Sequence, residues 1–187
     1  ILNSGIKFPS GTDLFVSRLS ENGAQLLAST LLGGSGNDGL NTASQLRYNY
    51  ADEARGGIAI DAQNNVYVGC STSSTDFPVP GNAFQPTYGG GSQDGMVVKF
   101  NANLSTLFWG TYLGGNSPDG VMNLVLDQQG NVFVGGGTTS IDFPSINGAV
   151  QQTNGGGQCD GFITGIRPNG QSIFASTFYG AELYDQV

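Results

Sequence analysis

Apolar and polar positions along this chain alternate in short runs, each closed by Gly, Asn, Asp or Pro, which is the two-residue period of strands rather than the longer period of helices. Residues 121–127 end such a run at Asp127, Gln128-Gln-Gly130 make a tight reversal, and Asn131-Val-Phe-Val-Gly135 opens the next run. That is a hairpin signature. It recurs earlier in the chain, around Asp61 and Val66-Tyr-Val-Gly69. Other landmarks keep the offset between Asp61 and Asp127: Asp76-Phe-Pro78 with Asp142-Phe-Pro144, Gly89-Gly-Gly91 with Gly155-Gly-Gly157, and Asp94-Gly-Met-Val-Val-Lys99 with Asp160-Gly-Phe-Ile-Thr-Gly165. The chain is a tandem repeat with a period of about 66 residues. A third copy of the last element, Asp13-Leu-Phe-Val-Ser-Arg18, lies more than one period before Asp94, so a segment is inserted between them, within 40–56.

The pattern predicts strands over 13–19 and 25–32, then 57–61, 66–71, 94–100 and 106–113, then 121–127, 132–138, 160–166 and 172–179. Four antiparallel strands per period is the unit of a β-propeller blade. The expected fold is therefore all-β, a β-propeller of four-stranded antiparallel blades, with about two and a half blades in this chain. Residues 1–34 are read as a partial blade, 35–56 as an inserted connection, 57–115 and 116–180 as complete blades, and 181–187 as the start of the next connection. The first strand of each blade is short and rich in small residues, as suits a position beside a crowded axis. An open stack would leave apolar faces wet, such as those of Val97, Phe108 and Tyr112, at roughly 25 cal/mol per Å2. The expected partners are the remaining blades of a longer chain, or other copies.

Composition sharpens this picture. The 31 glycines, without a collagen-like period, suit many turns and bulges. Six basic residues against 14 acidic ones give a net charge of −8 with no basic cluster, which excludes nucleic acid as a partner. No apolar run is long enough to span a membrane, and a start at Ile1 without a leader fits a processed or excised chain. Few Lys, no His and abundant Ser, Thr, Asn and Gly suit a secreted or cell-surface protein. Cys70 and Cys159 are either two buried thiols or one disulfide between neighbouring repeats.

Candidate chemistry is sparse. Without His, no Ser-His-Asp or Cys-His system can be assembled, and the Gly-rich turns lack the Lys-Ser/Thr of a phosphate loop. The repeated acids occupy positions where short carboxylates cap backbone N–H groups. The sharper reading is Ca2+ binding, with Asn37, Asp38 and Asp119 as hard oxygen ligands beside flexible glycines. Aromatic residues such as Phe77 and Phe143 suit packing between blades or sugar stacking. The insert breaks the period and concentrates Arg47, Tyr48, Tyr50, Asp52, Glu53 and Arg55, which makes it either a ligand-recognition segment or a solvated loop. Asp52 and Glu53 are the adjacent acids that a carbohydrate-active alternative would use. The long connections gather at one end of each blade, where binding residues are expected.

Ser29-Thr-Leu-Leu-Gly-Gly34, Gly57-Ile-Ala-Ile-Asp61 with Val66-Tyr-Val-Gly69, and Ser74-Thr-Asp-Phe-Pro78 followed by Ala83-Phe-Gln85 and Tyr88-Gly-Gly-Gly91 recur in fixed order. Together they resemble the SBBP-type bacterial β-propeller repeat. The resemblance covers nearly all of residues 13–180. It implies a propeller of seven or a similar number of blades in a large exported protein, often one using type IX secretion, and it implies no reaction. The expected role is a non-enzymatic scaffold, adhesion or binding module whose long-loop face meets surface glycans or proteins. The alternatives are a carbohydrate-active propeller and a purely structural spacer.

Overall fold

The structure, a computed structural model, describes residues 11–80 and 82–187, and among them the regular elements are strands apart from two short 3-10 turns at Ser44–Leu46 and Asp52–Ala54. Residues 1–10, assigned from sequence to the partial blade, lie outside the described residues. In order the strands are β1 (Leu14–Leu19), β2 (Leu26–Leu32), β3 (Gly57–Ile60), β4 (Val66–Thr72), β5 (Asp94–Phe100), β6 (Leu107–Leu113), β7 (Asp119–Leu126), β8 (Val132–Thr138), β9 (Asp160–Ile166) and β10 (Ile173–Tyr179). Within each sheet, every strand pairs antiparallel with its sequence neighbour. The result is one two-stranded sheet, β1-β2, and two four-stranded meanders, β3-β4-β5-β6 and β7-β8-β9-β10. The all-β expectation holds, and β5, β8 and β9 fall on the predicted residues.

The repeat is preserved down to register. β4 lies on β5 from Val66↔Phe100 to Thr72↔Asp94, and β8 lies on β9 from Val132↔Ile166 to Thr138↔Asp160, the same pairing moved by one period. β7 starts before the predicted strand because Asp119 already pairs with Thr138. In the earlier copy the matching contact is an isolated bridge, Asp38↔Thr72, continued by Gly39 N–H donating to the Ser71 carbonyl at 2.9 Å. The chain then departs and rejoins the sheet at Gly57. The inserted residues therefore interrupt the first strand of a sheet.

Alternation explains why the central strands read as almost continuously apolar. On β5, Met96, Val98 and Phe100 turn toward the β1-β2 sheet and pack with Val16, Ala28 and Leu32. Val97 turns the other way, toward Val121, Leu124, Val134 and Phe162. A sheet buried on both faces needs apolar residues on both. Val97 and Tyr112, expected on an open face, are consequently buried at 0% and 1% exposure, and only Phe108 remains half exposed. Apolar exposure falls instead on the outward side of β7-β8-β9-β10, at Val125 and Ile163, and on the other flank at Phe15, Leu31 and Ile58. Edge-to-face Tyr67–Trp109 and close Phe143–Phe162 contacts fill the interface between the two large sheets. The Trp109 indole N–H donates to the Pro168 carbonyl at 2.9 Å, tying β6 to the β9-β10 turn. First strands approach closely: a Cβ on Gly57 would stand 2.6 Å from the Leu124 nitrogen, so the position requires glycine.

Candidate functional site

The two ends of the sheets differ. At one end are tight turns in which Asp61 and Asp127 each accept two backbone N–H bonds and the amide of Asn65 or Asn131. Hydrogen bonds led by the Asn131 side chain hold Asp127 below the usual carboxylate range. At the other end lie the long connections 73–93 and 139–159 and the links between sheets.

Those links are fastened by a repeated set of acids. Asp38 Oδ2 accepts Gly34 N–H at 2.7 Å and the Ser74 hydroxyl at 2.8 Å; Asp119 Oδ2 accepts Gly115 N–H at 2.7 Å and the Ser140 hydroxyl at 2.8 Å. The Thr72 hydroxyl also donates to Asp38 Oδ1. Asp76 accepts Ser35 N–H and Asp142 accepts Asn116 N–H, so each sheet grips the link that enters it. A second carboxylate stands behind the first. A Cβ on Gly114 would meet Asp94 Oδ1 at 2.6 Å and Asp119 Oδ2 at 2.7 Å, and Gly33 is crowded likewise by Asp13 and Asp38. Asp94 Oδ1 is buried without a hydrogen-bond partner, whereas the Thr138 hydroxyl is a partner of Asp119, as Thr72 is of Asp38. Burial above all, with Asp119 nearby, raises Asp94 to about 7; burial, with Asp142 adding to it, raises Asp119 to about 7.

The insert is folded onto this end. Asn41 is buried, and its side-chain amide donates to the carbonyls of Leu46 and Asp52 at 2.7 and 3.1 Å. The buried Gln93 accepts N–H bonds from Thr42 and Ala43 and donates to the Asp119 carbonyl. Leu46, wholly buried, packs with Ala43, Met122, Cys159 and Tyr184. Ala51 takes the left-handed conformation, φ 65°, that lets the chain reverse before its second 3-10 turn. The insert thus departs from one large sheet and rests on the other.

Where it lands it forms a groove of about 760 Å3, lined by Tyr48, Asn49, Gln158 and residues 182–186. Tyr48 is 76% exposed, and its ring lies 5.0 Å from that of the half-buried Tyr184 at an interplanar angle of 33°. The Tyr184 hydroxyl donates to Gln186 Oε1 at 3.1 Å, the Asn49 amide donates to the same oxygen at 3.3 Å, and the Gln186 amide donates to the Leu46 carbonyl at 3.4 Å. Burial raises the Tyr184 hydroxyl to about 12, which keeps it a donor.

Of the insert residues singled out in the sequence, Tyr48 alone lines this groove. Tyr50 is 98% exposed and stands outside it, as do the exposed Arg47 and Glu53. Asp52 is corrected from ligand contact to internal strut: it is fully buried, accepts Asn49 N–H at 2.6 Å and pairs with Arg55 at 2.8 Å. An acid so placed cannot reach a substrate, so Asp52 and Glu53 do not form a catalytic pair. Asn49, Gln158 and Tyr184 were missed because two lie far from the insert in sequence and only its landing point brings them together.

One open alternative is settled and one further expectation is corrected. Cys70 and Cys159 are free buried thiols, not a disulfide. Alternation and the landing of the insert place them in different clusters, Cys70 under β1-β2 and Cys159 beside Leu46. The Ca2+ set divides: Asp38 and Asp119 fasten separate links, their inner oxygens already accept N–H and O–H bonds, and Asn37 sits with Asp38 alone. Among the described residues no group of three His, Cys, Asp or Glu side chains is placed to hold a metal. Among them, too, no helix is long and apolar enough to cross a membrane. No family model matches the chain, and no characterised protein matches it at a significant level.

Proposed function

We propose that these sheets are blades of a β-propeller of the SBBP type, in an exported bacterial protein, and that the long-connection end is a non-enzymatic binding face. Support for the propeller comes from the seat of Val187. A Cβ on Gly135 or Gly161 would meet the Val187 methyls at 3.0 and 2.7 Å, as one on Gly69 or Gly95 would meet the Val121 methyls at 2.9 Å each. Val121 lies in the first strand of one large sheet and rests on the other. One period later Val187 rests in the same way on the face of β7-β8-β9-β10, so stacking continues in the same sense. Further sheets of this repeat, from a longer chain or from other copies, then cover Val125 and Ile163.

The observation that carries the binding role is the insert. It breaks the period, is anchored by the buried Asn41, Leu46 and Asp52, and still leaves an exposed ring over a groove. A rigid scaffold presenting a departure from its own repeat is the usual setting for recognition. In the other copy Val121-Met122 stands where residues 40–56 stand here, which defines the test. The intact chain is expected to be retained on immobilised bacterial surface glycans or proteins, and a chain with 40–56 replaced by Val-Met to lose that retention while keeping its strand circular dichroism. Equal behaviour of the two chains would remove the binding role and leave a spacer.

A further inference from the structure

Resting on the binding-face reading above, the geometry points to a neutral saccharide as the ligand of the groove, stacked on Tyr48 and hydrogen-bonded by Gln158 and Glu182. Two tyrosine rings 5.0 Å apart and 33° from parallel lie on one another. They form one platform backed by Tyr184, with the far face of Tyr48 open, 76% of the residue being exposed. A cage for a quaternary ammonium needs rings set as separate walls around a cation. A platform instead suits the flat C–H face of a sugar ring, which gains apolar contact while its hydroxyls stay at the rim.

The rim matches. No Lys or Arg lines the groove, and Glu182 and Asp185 do, which disfavours phosphate, sulfate and uronate ligands. Asp185 is occupied, its Oδ2 accepting Ala181 N–H at 2.8 Å, and Gln186 is held by Tyr184, Asn49 and Leu46. Gln158 and Glu182 are exposed, and their side chains make no hydrogen bond to other described residues. An amide and a carboxylate at the edge of an aromatic platform supply the donors and acceptors that sugar hydroxyls require. The platform is held before binding by the Tyr184–Gln186–Asn49 network and by Leu46 beneath it, so little order is lost when a ligand arrives.

The experiment is a titration of the 15N-labelled chain with neutral tetrasaccharides of glucose, mannose and N-acetylglucosamine, and in parallel with choline and with inorganic sulfate. At least one saccharide is expected to shift the amides of Tyr48, Asn49, Gln158 and 182–186 saturably. Tyr48→Ala is expected to weaken that binding by about tenfold and Tyr48→Phe to retain it. Because Tyr48 is exposed, neither variant disturbs the core. Groove shifts with choline or sulfate but with no saccharide would overturn the inference, as would silence of the groove toward every probe. Saccharide binding elsewhere at the long-connection end would overturn it too, while leaving the binding-face reading intact.

Discussion

Carboxylates that converge on a buried glycine set the pH response at the scale of the residue. Asp94 and Asp119 meet at Gly114, neither is in an ion pair among the described residues, and one oxygen of Asp94 is buried without a partner. The groups facing them are Asp142, Tyr88, Tyr112 and Cys159, none of them cationic. Both carboxyls are raised to about 7 in the folded chain, against roughly 3.9 for an unfolded Asp. Between those values the folded state binds more protons than the unfolded one, so the contribution to stability is fullest in acid and is lost as pH rises to the folded value. The melting temperature is therefore expected to be several degrees higher at pH 5 than at pH 8. Asp94→Asn keeps an acceptor for Gly89 N–H. It is expected to flatten that dependence and to raise stability at pH 8; a melting temperature that climbs from pH 5 to pH 8 would contradict this origin. Calcium at pH 8 is expected to leave it unchanged, whereas a saturable rise would mean that the pair takes a cation instead of a proton. The repeat marked Asp94 as a structural position, and the sequence offered Asp119 as a Ca2+ ligand. It could not show that they pair, because Asp94 and Asp119 lie on different sheets, far apart along the chain, and meet only where one sheet hands over to the next.

Among elements, the strands were legible and the insert was not. Alternating β-branched and aromatic runs closed by Asp and Gly fix a strand locally, and the constant offset between copies checks each boundary twice. Residues 40–56 have no second copy and no period, so nothing local shows that Leu46 is buried or that Asp52 faces inward to Arg55. Their order comes from a distant surface: Met122, Cys159 and Tyr184 form the bed on which Leu46 rests. Leu46→Ala is expected to cost about 2–4 kcal/mol of that docking and to free the insert without unfolding the sheets. Hydrogen exchange at Asn41 and Asp52 amides should accelerate while β5 stays protected, and Cys159 should begin to react with a thiol reagent while Cys70 stays silent. Unchanged Cys159 reactivity would show that the insert is held by its hydrogen bonds to Gln93 and Gln186 and not by the Leu46 side chain.

Across the whole molecule, stability follows from neighbours. Each four-stranded sheet has two apolar faces, and the interface between the large sheets, built on Tyr67, Trp109, Phe143 and Phe162, shows how a covered pair looks. In such arrays stability is close to a sum over units and the contacts between them. Val97 is wholly buried where Ile163, its counterpart in the next copy, is 41% exposed. The difference is whether another sheet lies over it. The most direct measurement is thermal unfolding of a chain in which a second copy of residues 122–187 is joined after Val187. If the stack continues from the Val187 seat, the melting temperature rises and the β9 and β10 amides become as slow to exchange as those of β5 and β6. An unchanged melting temperature with β9 and β10 still fast to exchange would contradict continued stacking, and with it the propeller.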